Sequence, residues 1–120
     1  MKSLTPEEKY IIEEGGTEPP FSGEYNEHFE EGVYLCKRCG AELYRSTDKF
    51  KSHCGWPSFD DEIEGAVRYL SNTDGRRRIE IRCDLRDAYL GHVFVGEKMT
   101  SKEIRHCVNS LSLRFVYEKK

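Results

Sequence analysis

Five cysteines and four histidines carry most of the chemistry this 120-residue chain could do, and spacing sorts the thiols into two groups. Cys36-Lys37-Arg38-Cys39-Gly40 has the spacing of a zinc knuckle. Two intervening residues let both sulfurs meet one metal, and the glycine lets the backbone turn beneath it. A closed tetrahedral site needs four ligands, and the natural second half would be another such pair. Cys83-Asp84-Leu85-Arg86 supplies one cysteine and puts arginine where the other would stand, with Asp84 or Asp87 as alternative oxygen donors. The competing reading makes Cys36, Cys39 and Cys83 small buried residues, because Cys83 falls in phase with Ile79 and Ile81 on an apolar strand face. Both readings stand at this level.

The second group is Cys54 and Cys107. Cys54 lies in His53-Cys54-Gly55-Trp56-Pro57-Ser58-Phe59, a run whose glycine and proline predict a loop able to present a thiol. Cys107 is flanked by His106 and shares a strand face with Arg105 and Asn109. Positive neighbours lower a thiol pKa, although simple packing is the commoner role of such a cysteine. At pH 7 a thiol of pKa ~8.5 is about 3% ionised, and lowering its pKa by two units raises that roughly 25-fold while nucleophilicity falls about eightfold. The net gain is about threefold, so a reaction at Cys107 needs positioning and hydrogen-bond donors as well as a thiolate.

The elements that must hold these residues read as mainly β. Thr5-Pro6-Glu7-Glu8 predicts a helix start with a capping box, stopping at Gly15-Gly16. Residues 17–32, with Pro19-Pro20 and little periodicity, predict an irregular wrap anchored by Phe21, Tyr25 and Phe29. Short apolar runs predict strands at 33–35, 41–44, 67–70, 77–83 and 89–94, and one long strand at 104–117. Asn72-Thr73-Asp74-Gly75 predicts a hairpin turn. In the last strand the odd positions from Arg105 to Tyr117 share one face, apolar in its second half and polar at Arg105, Cys107 and Asn109. That is a core face running out into the wall of a site. No alternating helical pattern appears, which favours a small antiparallel domain over a parallel α/β sheet.

Length predicts one domain over residues 1–120, with 1–32 as the wrap and 33–117 as the β core. The longest apolar stretches are only a few residues, so neither a membrane span nor an export signal is expected, and the protein is placed in the cytoplasm. There thiols stay reduced, which favours metal or redox roles for them. Nineteen basic against 22 acidic residues leave a net charge of −3, without the field that attracts nucleic acid despite Arg76-Arg77-Arg78. His28 and His53 read as solvated loop residues, and His106 falls on the face opposite Cys107.

Four blocks, in order, carry a resemblance. Gly16-Thr17-Glu18-Pro19-Pro20-Phe21-Ser22-Gly23, Cys54-Gly55-Trp56-Pro57-Ser58-Phe59, Leu90-Gly91-His92-Val93-Phe94 and the run from Arg105 to Phe115 resemble the signature blocks of the B-type methionine sulfoxide reductases, over about residues 4–117. The resemblance implies two antiparallel sheets with short N-terminal helices, and reduction of the R epimer of methionine sulfoxide in proteins. It makes Cys107 the nucleophile and Cys54 the resolving thiol, recycled by thioredoxin. Trp56, His92, Arg105 and Asn109 match substrate-pocket positions, with Trp56 as a wall for the methyl group and His92 as general acid. Cys36, Cys39 and Cys83 match three of four structural zinc cysteines; Arg86 occupies the fourth place, and the chemistry itself requires no cofactor. The chain departs from the pattern at Tyr89, where the family usually has histidine, and in the loop after the third block, where only Glu97 could replace an acid. A zinc-knuckle binding module or a redox sensor built on Cys54 and Cys107 are the alternatives.

Overall fold

The computed structural model describes residues 4–51, 55–70, 78–95 and 104–117. Helix α1 (Pro6–Ile12) starts as expected: the Glu8 N–H donates to Thr5 Oγ1 at 3.2 Å, and the Thr5 N–H donates to Glu8 Oε1 at 2.9 Å. The chain turns away at Gly15, whose φ of 71° suits glycine, and α1 buries Ile11 and Ile12. No helix among the described residues is long and apolar enough to cross a membrane.

Nine strands follow among the described residues: β1 (Gly32–Cys36), β2 (Glu42–Arg45), β3 (Lys49–Phe50), β4 (Ser58–Phe59), β5 (Val67–Leu70), β6 (Arg78–Cys83), β7 (Tyr89–Val95), β8 (Ile104–Val108) and β9 (Leu113–Tyr117). They form two antiparallel sheets, ordered β2-β1-β9 and β3-β4-β8-β7-β6-β5. The expected mainly β architecture is therefore present. Tyr34, Leu43, Tyr44, Phe59, Ile81, Leu90, Val108 and Leu113, drawn from both sheets, are all fully buried. Burial of each such side chain contributes about 1.5–3 kcal/mol. Tyr44 stacks on Phe59 with ring centroids 4.3 Å apart, and Tyr34 meets Phe59 edge-on at 5.2 Å.

Three expectations need correction. The strand at 104–117 is two strands in different sheets, parted by Asn109 and a 3-10 turn at Ser110–Ser112. Polar side chains add bonds to the backbone there: Asn109 Nδ2 donates to the Leu90 carbonyl at 3.2 Å beside its own N–H at 2.9 Å, and Ser112 Oγ donates to the Tyr89 carbonyl at 2.8 Å. The common face therefore stops at the break, and Tyr117 is exposed. In the wrap, Tyr25 alone of the three aromatics is buried, its hydroxyl accepting from the Phe115 N–H at 3.1 Å, while Phe21 and Phe29 are exposed. His28 is not simply solvated: it packs edge-on to Phe115 at 4.4 Å and bonds the Tyr34 hydroxyl at 2.9 Å. The turn expected at 72–75 and His53 lie outside the described residues.

Candidate active site

Cys107 is the penultimate residue of β8, with a strand on each side. Ser58 of β4 is its registered partner on one side and His92 of β7 on the other. Registered residues of antiparallel strands point to the same face, and alternate residues share it. Arg105 and Cys107 on β8 therefore lie beside Phe94 and His92 on β7. The strands approach tightly at this point. A Cβ on Gly91 would lie 2.0 Å from the Cys107 carbonyl oxygen, so only glycine fits.

Alternation alone would put Tyr89 and His92 on opposite faces of β7. The register against β6 shifts between Ile81, which faces Gly91, and Arg82, which faces Tyr89, so Leu90 is an extra residue. This bulge turns Tyr89 onto the His92 face. Its hydroxyl then lies 3.2 Å from His92 Nδ1. The bulge thus places a phenol in a hydrogen-bonded pair beside Cys107.

A cavity of about 130 Å³ opens over this face, lined by Thr17, Trp56, Tyr89, Gly91, His92, Phe94, Cys107 and Asn109. An apolar cavity of about 150 Å³ accommodates benzene, so the space suits a small group such as a methyl sulfoxide terminus. Trp56 and Phe94 are its apolar walls; Tyr89, His92 and Asn109 bring polar groups to it. Asn109 is buried, its Oδ1 accepting from the Glu18 N–H at 3.0 Å while its Nδ2 donates to the Leu90 carbonyl. Trp56 Nε1 donates to the Glu18 carbonyl at 3.0 Å.

Of the residues expected from the sequence, Cys107, Trp56, His92 and Asn109 meet at this cavity. Arg105 does not line it. Buried one register step away, it lays its guanidinium 4.3 Å from the centroid of the Phe94 ring and so backs a cavity wall. Cys54 and Glu97 lie outside the described residues. Residues 57 and 58 lie against β8: the Val108 N–H donates to the Pro57 carbonyl at 3.0 Å and Ser58 pairs with Cys107. Sequence reasoning left out Thr17, Gly91 and Phe94 as cavity residues. Phe94 could have been found as the alternate neighbour of His92.

His106 is on the opposite face, as alternation requires, and is buried in the core. Its Nδ1 bonds the Tyr44 hydroxyl at 2.9 Å, and Nε2 lies 3.4 Å from Glu62 Oε2. Burial lowers its pKa to about 4 against the opposing pull of Asp61 and Asp60. The imidazole is neutral at pH 7, so the electropositive surroundings inferred for Cys107 reduce to Arg105.

The second thiol group also assembles. The sulfurs of Cys36, Cys39 and Cys83 all lie within 4.8 Å of one another, with Cys39 and Cys83 at 3.6 Å. Cys36 ends β1 and Cys83 ends β6, so the cluster joins the two sheets. Each end is a knuckle: the Cys36 sulfur accepts from the backbone N–H groups of Cys39 and Arg38, and the Cys83 sulfur from those of Arg86 and Leu85. Gly40, at φ 81°, completes the first turn and Asp87, at φ 58°, the second. A hydrogen bond between Cys36 and Cys83 raises the Cys36 thiol and, with the amides, lowers Cys83 to about 5. No carboxylate joins the three sulfurs among the described residues, so Asp84 and Asp87 are not ligands with them. Asp87 instead pairs with Arg68 and Arg82.

A family model described as the SelR domain matches residues 4–117. The chain is 51% identical over 116 residues to peptide methionine sulfoxide reductase B2, chloroplastic, of Arabidopsis thaliana, covering 96% of this chain and 57% of that protein. It is 49% identical over 113 residues to peptide methionine sulfoxide reductase B5 of Oryza sativa subsp. japonica, covering 93% and 82%. Against peptide methionine sulfoxide reductase B8 of Arabidopsis thaliana the identity is 49% over 113 residues, covering 93% and 78%. Among solved structures, the Mis18 'Yippee-like' domain is similar in fold alone, with a TM-score of 0.58 at 18% identity over 76% of this chain and 100% of that one.

Proposed function

This chain belongs to the SelR domain family of B-type peptide methionine sulfoxide reductases, and from that premise we propose that it reduces methionine (R)-sulfoxide in oxidised proteins. The observation that carries the reading is the small cavity in which Cys107 faces Trp56 on one side and the Tyr89–His92 pair on the other. The Cys107 thiolate attacks the sulfoxide sulfur while a proton is delivered to the sulfoxide oxygen. Oxygen passes to Cys107, leaving a sulfenic acid, and the thioether departs. His92, held by Tyr89, is the acid for that proton, and Asn109, its amide bonded to Glu18 and Leu90, fixes the polar wall around it.

Epimer choice follows from the walls. With the methyl group against Trp56 the oxygen meets the polar side; exchanging the two presses oxygen on the indole and leaves donors unpaired. Cys54 then attacks the sulfenic acid, expelling water and forming a Cys54–Cys107 disulfide. An external dithiol reduces it, and we assign that role to thioredoxin in a reducing compartment, with the cytoplasm as the proposed setting.

The sulfur cluster fits a structural Zn²⁺. Tetrahedral zinc with Zn–S of about 2.3 Å separates its sulfurs by about 3.8 Å, and the Cys39–Cys83 pair lies at 3.6 Å. Cys36, Cys39 and Cys83 would hold the ion, which supplies cross-linking of the two sheets and takes no part in the reduction. With Arg86 in the place of a fourth cysteine, the remaining position falls to a ligand other than cysteine.

The test uses the purified chain with each dabsylated methionine sulfoxide epimer and a dithiol. The R epimer is expected to be reduced and the S epimer left. Cys107→Ser is expected to abolish turnover without changing the thermal midpoint. Turnover by Cys107→Ser, or equal use of both epimers, contradicts the proposal.

A further inference from the structure

Glu18 does not line the reaction cavity, yet it is bonded to two segments that build it, the one that carries Trp56 and the one that carries Asn109. It is 2% exposed. Its backbone N–H donates to Asn109 Oδ1 at 3.0 Å, and its carbonyl accepts from Trp56 Nε1 at 3.0 Å. Its carboxylate reaches the junction between β8 and β9, where Oε1 accepts from the Leu111 N–H at 2.9 Å. Thr17, the preceding residue, lines the cavity itself.

The other carboxylate oxygen, Oε2, is buried with no hydrogen-bond partner among the described residues. A buried oxygen without a partner is costly, and most buried polar atoms have one. Space is kept for it as well: a Cβ on Gly23 would come within 2.3 Å of Oε2 and 2.2 Å of Ser110 Oγ. A side chain kept under these conditions holds something in place. We propose that Glu18 is a positioning residue for the sulfoxide reduction assigned above. Its carboxylate pins residue 18 to the strand break, and the pinned backbone sets Trp56 on the apolar side of the cavity and Asn109 on the polar side. Truncating the side chain removes the acceptor for the Leu111 N–H and frees the backbone that both cavity residues depend on. Displacement of about 1 Å in such a site costs up to about 100-fold in rate.

The experiment exploits Trp56, the sole tryptophan of the chain, so intrinsic fluorescence reports directly on one cavity wall. In Glu18→Ala, kcat/KM for methionine (R)-sulfoxide is expected to fall about 10- to 100-fold, with the emission maximum moving to the red as the indole N–H exchanges its carbonyl for water. Glu18→Gln keeps an acyl oxygen for Leu111 and is expected to restore the emission and most of the rate. Should Glu18→Ala not fold, as judged by circular dichroism, Glu18→Asp, shorter by one methylene, carries the same expectation. A folded Glu18→Ala protein with wild-type kcat/KM and unshifted emission overturns the proposal, as does a Gln variant no better than Ala. An unmutated chain inactive on the R epimer refutes the reductase reading instead, and the emission comparison then decides the role of Glu18 alone.

Discussion

His106 is the point at which pH is expected to reach the fold. In the native protein, burial holds this imidazole at a pKa of about 4, whereas a solvated one titrates near 6.5. The unfolded chain therefore binds a proton first as pH falls, and native stability drops from about pH 7 downward until the native pKa is passed. Full traversal of that interval is worth about 3 kcal/mol, of which about 2.5 kcal/mol is lost by pH 4.5. Against a typical domain stability of about 5–15 kcal/mol this is large. The measurement is urea unfolding of the wild type and His106→Gln at several pH values from 7.5 to 4.5. Gln preserves a partner for the Tyr44 hydroxyl but does not titrate. Other acids contribute equally to both curves, so the difference between them isolates His106. The variant is expected to start lower at pH 7.5 and to lose about 2.5 kcal/mol less by pH 4.5. Parallel curves refute the reasoning and mean that Glu62, 3.4 Å from Nε2, keeps the native imidazole as basic as a solvated one.

Three further outcomes are expected. Tyr89→Phe removes the hydroxyl at 3.2 Å from His92 Nδ1; steady-state assay of the R epimer is expected to show kcat/KM lower by about 2- to 12-fold, the worth of one ordinary hydrogen bond. Gly91→Ala drives a methyl group to 2.0 Å from the Cys107 carbonyl, so β7 and β8 must part; the urea midpoint is expected to fall by the equivalent of about 1–3 kcal/mol, with activity lost in the folded fraction. Elemental analysis is expected to find about one zinc per chain, and a chelator or Cys39→Ser to remove it and lower the thermal midpoint; an unchanged midpoint in a metal-free protein refutes the structural role.

Features that depend on neighbouring residues alone were readable before the fold. The Thr5–Glu8 capping box needs four consecutive residues, and the Cys36–Cys39 knuckle needs five. Placement of His106 and Cys107 on opposite faces needs only the two-residue period of a strand. What escaped depends on residues far apart in the chain. The strand break at Asn109 is caused by partners at Leu90, Tyr89 and Glu18, and alternating polarity continues smoothly through it. The bulge at Leu90 is announced only by the neighbouring Gly91, which does not say which side chain it re-aims, yet it decides whether Tyr89 can meet His92. Strand β4 was hidden because two residues in a loop rich in glycine and proline have no periodicity; pairing with β8 alone makes them a strand. His28 looked solvated because its aromatic partners include Phe115, 87 positions later in the numbering.

The passage of one segment through both sheets has a consequence for biosynthesis. β8 is inserted between β4 and β7, and β9 flanks β1, so neither sheet is finished until residues 104–117 are in place. A chain emerging from the ribosome has every other strand first and waits for these. Cys107 thus arrives with the piece that closes the architecture around it: partly made molecules have no assembled pocket in which that sulfur could meet an oxidised side chain.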